Sequence, residues 1–393
     1  MKEQIHSEIK SLKPGLTELA QWLYAHPETA NQESESSKRV MAFLRDAGFE
    51  IEPECAGLPT AFKASKRSGD GPKVAIMAEY DALPGLGHGC GHHLISAMST
   101  GAGIALASLL SEMPGEVAVF GTPAEETGDG KSVMAKAGVF DDYDVGIMLH
   151  PCPVHYTAPI ILAIGAYDFE FTGLASHAGS RPYEGINALD ALVLMYNGVS
   201  VLRQQLKDGT RIAGIVLKGG DVTNVIPDQC TIRYEVRARK LSDYHATVGK
   251  VVNCAKGAAL ATGCTLNFFQ SEPLCMPLEE SPALAAEYHK LLDEYGLCEE
   301  GEDVVGATDL GDVGAIIPAL QPFFKICTHF ELPHTEDFLR AANEPYAYEQ
   351  MLLGTELLAR LGLRVFEDPG LLITLRAEKA AKAASRQRKE VTK

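Results

Sequence analysis

The chain has 393 residues, 46% hydrophobic and 22% charged, which is material for two ordinary globular domains with substantial cores. Its formal charge of -17 argues against nucleic acid or an anionic membrane as partner, since both reward positive surface. Nine cysteines without a CxxC pair point to free thiols in a reducing compartment. With no apolar signal segment and no run long enough to span a membrane, a soluble cytoplasmic protein is expected.

Helical spacing marks Ile5–Leu23 and Ser36–Ala47. Apolar strands then alternate with helices: Val74–Ala78, a small-residue helix over Ser96–Leu110, Val117–Gly121 and Val145–Leu149. That alternation predicts an α/β domain with a largely parallel sheet, whose ligands gather beyond the carboxyl ends of the strands. The texture changes near Ile161. Strand-like Tyr167–Thr172, helical Ile186–Leu206, strand-like Ile212–Leu217 and Cys230–Arg239, helical Tyr244–Leu260 and strand-like Thr265–Gln270 follow. This βαββαβ order is that of the ferredoxin-like split motif. After a Pro-containing linker at Glu272–Pro277, helices return at Ser281–Tyr295 and Tyr346–Leu361. The expected organisation is a catalytic domain, residues 1–164 and 274–393, interrupted by an inserted α+β domain, residues 165–273. The tail from Arg376 to Lys393, rich in Lys, Arg and Ala, reads as a helix with a solvated face or a frayed end.

Chemistry concentrates in Glu79–His93, which carries Glu79, Asp81, His88, Cys90, His92 and His93 on a glycine-rich loop directly after an apolar strand. Thiolate and imidazole suit zinc and its neighbours, and glycines let the backbone turn tightly enough to converge them. After the strand ending at Gly121 comes Pro123-Ala124-Glu125-Glu126, an adjacent carboxylate pair. One carboxylate can bind metal while the other stays free to take a proton. His150 closes another apolar strand, and His334 lies in Glu331–Glu336. Each histidine alone is better explained by packing than by metal. Jointly, Cys90, His92, Glu126, His150 and His334 make a set for two metals sharing one bridging ligand.

The motifs Glu79-Tyr80-Asp81-Ala82-Leu83-Pro84, Gly89-Cys90-Gly91-His92, Pro123-Ala124-Glu125-Glu126, Leu149-His150-Pro151 and Pro333-His334-Thr335 resemble those of the M20 metallopeptidase family. The likeness is to its amidohydrolase branch, near the aminobenzoyl-glutamate hydrolases and the M20 domain-containing dipeptidases. Ala175–Gly179, Asn224–Pro227 and Gly306–Val313 add to it. The resemblance implies a zinc-peptidase-like catalytic domain with an inserted lid and dimerisation domain. It implies two divalent ions per subunit, zinc first, with manganese or cobalt as alternatives. Cys90 would bridge them as thiolate, His92 and His150 completing one site and Glu126 and His334 the other. Glu125 would be the general base, and Asp81 would orient a ligand histidine. His177 would steady the oxyanion in a partner subunit, and Asn224 and Arg237 would hold substrate, Arg237 by pairing with the substrate's carboxylate. Arg239, on the same strand face by alternation, is the other candidate arginine.

The implied activity is hydrolysis of a C–N amide bond in a small N-acyl- or aryl-amino acid or dipeptide by metal-activated water, in a homodimer. Departures from the pattern are His93, where many relatives place Asp or Asn, and Glu79, where other branches use a ligand histidine. Three rival readings stand beside it: a hydrolytic deaminase on the same site, a non-catalytic binding protein, and a cysteine hydrolase using Cys90 with a histidine.

Overall fold

The computed structural model describes residues 1–127, 130–300 and 305–391, with side chains to residue 386, so Thr392 and Lys393 of the basic tail lie outside it. The chain forms two compact units, Met1–Ile160 with Leu278–Lys393, and Ile161–Pro277. No helix among the described residues is long and apolar enough to cross a membrane.

The first unit is built on a six-stranded sheet in the order Glu50–Pro53, Phe62–Arg67, Glu116–Gly121, Lys73–Ala78, Val145–Ile147, Ala319–Leu320. The last four strands run parallel; the first two are antiparallel additions at one edge. Val74 to Ala78 are fully buried, as a parallel strand covered on both faces requires. Helix His92–Ala107 is buried along its whole length, packed between the helices Lys2–Ala25 and Pro345–Glu367 and the sheet. Its small residues allow that approach: a Cβ on Gly103 would collide with Val119 Cγ2.

The strand expected over Val145–Leu149 stops at Ile147. The chain then resumes as His150–Cys152, which pairs in parallel with Phe323–Lys325 in a separate two-stranded ladder. The basic tail belongs to a helix over Pro369–Val391, where Arg376 grips Asp144 through Nε at 2.8 Å.

The second unit has a four-stranded antiparallel sheet in the order Thr265–Cys275, Ala163–Thr172, Gln229–Ala238, Arg211–Lys218. Numbered along the chain, that order is 4-1-3-2, and helices Ala188–Leu202 and Leu241–Thr262 follow the first and third strands. This is the ferredoxin-like topology expected from the sequence. Phe169, Phe171, Leu192, Met195, Ile232, Val236, Tyr244 and Val251 form its core. One expectation fails here. The supposed linker at Glu272–Pro277 is strand as far as Cys275. The strand lies at the sheet edge and its register shifts between Gln270 and Cys275, so Pro273 interrupts no ladder that needs its N–H.

Candidate metal centre

Parallel neighbours fix where the loops emerge. Ala78 lies opposite Gly121, so Glu79–Asp81 and Pro123–Glu126 leave the same sheet edge side by side. Gly91 caps the buried helix with φ +84°, and a Cβ there would meet Pro151 Cβ at 2.8 Å. Glycine therefore lets the Cys90 loop lie against His150-Pro151. From the other end of the chain, His334 N donates to Gly89 O at 2.9 Å, holding His334 at φ +67° directly before the N-cap Thr335.

These contacts converge on one sulfur. Cys90 Sγ lies 3.5 Å from His150 Nε2 and 3.3 Å from His334 Nε2. Three ligand groups form, each with its atoms within 4.8 Å of one another: Cys90–His92–His150, Cys90–Glu126–His334 and Glu79–His92–Glu125. The first two share Cys90. Glu126 Oε2 is 3.6 Å from His334 Nε2, and Glu125 Oε2 is 3.8 Å from His92 Nε2.

The donor set fits divalent cations. Asp81 Oδ1 lies 3.0 Å from His92 Nδ1 while its Oδ2 accepts from Glu126 N at 2.9 Å. Burial would lower the His92 pKa, but Asp81 and Cys90 outweigh it. A carboxylate beside Nδ1 keeps a proton there, so Nε2 is the ring atom left for a cation. Pro151 O, 2.8 Å from His150 Nδ1, does the same for His150. His92 Nε2 and Glu126 Oε1 are buried with no hydrogen-bond partner, a costly arrangement that a cation would relieve. From protein groups alone, burial pushes the Cys90 thiol far up, against the pull of His92. Burial also drives His150 down to about 4. A thiolate in this setting needs a cation beside it, and neutral imidazole is the ligating form. Burial, and next the charge of Glu79, raise the Glu125 carboxyl well above the usual range.

Two further residues of the site were not found by reading the sequence. Lys131, fully buried, places Nζ 2.6 Å from Glu79 Oε1 and pairs with buried Asp309, whose Oδ2 also accepts from Lys131 N at 2.7 Å. Burial would lower the Lys131 pKa, but Asp309 and Glu79 outweigh it, so the ammonium persists. Glu79 thus has a resident cation, which argues for two ion positions around Cys90 rather than a third at Glu79. Asp309 lies in the Gly306–Val313 motif; Lys131 had no sequence signal.

His93 Nε2 donates to Ala342 O at 3.0 Å, and burial pushes its pKa down to about 3. Its ring packs 5.2 Å from those of Tyr24 and His88, and neither His88 nor His93 belongs to a ligand group.

Within the inserted unit, Ala178 N donates to Asn224 O and Ile226 N to Ser176 O, both at 2.9 Å. His177 and Asn224 therefore sit on paired loops, both exposed. Gly179 N and Ser180 N donate to His177 Nδ1 at 3.1 and 3.2 Å, which leaves the ring proton on Nε2. Arg237 is elsewhere. It lies near the end of strand Gln229–Ala238, about 26 Å along the strand from Gln229 at ~3.3 Å per residue. Its Nε donates to Glu235 Oε1 at 2.6 Å.

Lone-pair imidazoles, a shared sulfur and a spare carboxylate at the end of a parallel sheet define a metal-dependent hydrolase. The chain belongs to peptidase family M20/M25/M40, whose model matches residues 75–364. An Xaa-Arg dipeptidase of Mus musculus is 35% identical over an alignment covering 98% of this chain and 94% of that protein. A p-aminobenzoyl-glutamate hydrolase chain of Escherichia coli is 27% identical, covering 94% and 92%. Among solved structures, a dinuclear metal-binding peptidase of the M20 family from Bacillus subtilis shares the fold. Its TM-score is 0.72 at 22% identity, covering 91% of this chain and 99% of that chain.

Proposed function

We propose that this protein hydrolyses the amide bond of a dipeptide or of a small N-acyl- or aryl-amino acid, using two divalent ions. The observation that carries the reading is Cys90 Sγ, common to two ligand groups, with Glu125 beside them and in neither. Cys90 would bridge the ions, His92 and His150 completing one set and Glu126 and His334 the other. Zinc suits a site of thiolate, imidazole and carboxylate; manganese and cobalt are its competitors. When bound, such ions polarise the scissile carbonyl and make water a stronger acid.

Glu125 then takes the proton from the attacking water and returns it to the departing amine. Glu125 belongs to neither ligand group that shares Cys90, so its carboxylate is free to accept the proton and give it back. Asp81 keeps the His92 proton on Nδ1 and seats the Glu126 N–H. His177, whose Nε2 carries the proton, is a donor for the tetrahedral oxyanion, acting in a second copy of the chain as a homodimer would allow. Asn224, on the loop paired with that of His177, would contact substrate, and Arg237 would exchange Glu235 for the substrate carboxylate. None of the nine cysteines is in a disulfide, which accords with a cytoplasmic location.

The test is a substrate panel of dipeptides, N-acyl-amino acids and aryl amides, read by amine release from metal-loaded protein. Cleavage of at least one amide, abolished by chelator and restored by metal, is expected. Turnover of aryl amines alone would favour a deaminase, and full metal occupancy without any turnover would favour a binding protein.

A further inference from the structure

We propose that Glu33 is a positioning residue, whose buried carboxylate holds the backbone at Ala124 and so aims Glu125. The inference rests on the reading of Glu125 as proton acceptor.

Glu33 is fully buried at the N-cap of helix Ser34–Asp46, yet its side chain does not cap that helix. Glu28 takes that task, accepting from Glu35 N at 3.2 Å and Ser36 N at 2.8 Å. Glu33 instead reaches across the unit. Its Oε1 accepts from Asn31 N and from Ala124 N, both at 2.9 Å, and its Oε2 accepts from Thr60 Oγ1 at 3.0 Å.

Ala124 is where support is needed. It stands at φ +57°, in the left-handed region that costs a residue with a Cβ. Thr127 closes the turn, its Oγ1 donating to Ala124 O at 3.1 Å. On the far side of Glu125, Glu126 N donates to Asp81 Oδ2 at 2.9 Å. The N–H groups before and after Glu125 are therefore each seated on a different carboxylate of low exposure. Asp81 also serves His92, whereas Glu33 touches none of the residues that would hold metal. Its loss should move Glu125 without disturbing the ligands.

The experiment compares Glu33→Ala, Glu33→Gln, Glu125→Gln and the double variant Glu33→Ala/Glu125→Gln. The assay uses the fastest-cleaved member of the dipeptide and N-acyl-amino acid panel, with metal per chain from elemental analysis. Misplacing a reacting group by about 1 Å costs on the order of 100-fold in rate. Glu33→Ala is therefore expected to lower kcat by about that factor, with KM within about three-fold and metal content unchanged. Glu33→Gln keeps an oxygen for the two N–H groups while Thr60 Oγ1 can turn to accept from the new amide, so it should recover most of kcat. In the Glu125→Gln background, Glu33→Ala should change the residual rate by less than about three-fold.

Wild-type kcat in Glu33→Ala, a multiplicative loss in the double variant, or loss of metal would overturn the proposal. Full activity in Glu125→Gln would instead overturn the base assignment, a different failure. If Glu33→Ala does not fold, Thr60→Val releases only Oε2; a kcat loss of several-fold at unchanged metal content is then expected, and an unchanged kcat refutes the role.

Discussion

Replacing Lys131 by Met tests whether the buried ammonium is what makes the carboxylate-rich end of the sheet tolerable. Glu79, Lys131 and Asp309 are each fully buried, and the ammonium touches both carboxylates. Removing it leaves Asp309 without its counter-charge, and Glu79 with only the His92 imidazole 3.5 Å away, where water cannot screen them. Breaking a buried pair costs about 3–5 kcal/mol. At roughly 2 °C per kcal/mol for a domain of this size, the melting temperature should fall by about 6–10 °C. Unfolding should be followed by circular dichroism in the presence of chelator, so that metal affinity does not enter the comparison. Adding Asp309→Asn should return part of the loss, because the orphaned Asp309 charge disappears. A Lys131→Met protein melting within about 2 °C of wild type would refute the reasoning, since it corresponds to only ~1 kcal/mol.

Glu125→Gln should keep its metal and lose about 10²–10⁴ in kcat, the range for a general base, as measured by amine release and elemental analysis. His177→Ala should lose about 10²–10³ in kcat at unchanged metal content. Mixing it with Glu125→Gln protein under subunit exchange should restore activity, and no restoration would exclude action across subunits. Arg233 holds Asp168 bidentately at 2.6 and 3.0 Å, which lowers the Asp168 pKa. A depressed carboxylate pKa stabilises the fold above the unfolded-state value near 3.9 and ceases to do so as pH falls through the folded value. Arg233→Ala should therefore cost about 1 kcal/mol at pH 7, discounted for its exposure, and the gap to wild type should close as unfolding is measured below about pH 4. A gap that widens in acid would contradict the sign. Activity that resists chelator but not thiol alkylation would point to Cys90 as a nucleophile.

The sequence displayed the parts of the fold whose signal is local. Val74–Ala78 and Val117–Gly121 are continuous apolar runs because both faces are covered, and the residues that follow them had to lie at the sheet's carboxyl edge. The strands Glu50–Pro53 and Phe62–Arg67 escaped notice because they are the antiparallel additions at one side of the sheet, one of them almost wholly exposed, and carry charged residues. Pro273 disguised an edge strand as a linker. In the candidate site, cysteine and histidine announce themselves by type and spacing. Lys131 and Glu33 do not: each looks like a surface residue, and each finds its meaning in partners 178 and 91 positions away.

Metal stoichiometry in wild-type protein and in Cys90→Ala, measured side by side by elemental analysis after reconstitution with zinc, bears most directly on the shared sulfur. The account predicts two ions per chain in the wild type and the loss of both, or retention of at most one weakly held ion, in the variant. A Cys90→Ala protein that still binds two ions per chain as tightly as wild type would contradict it.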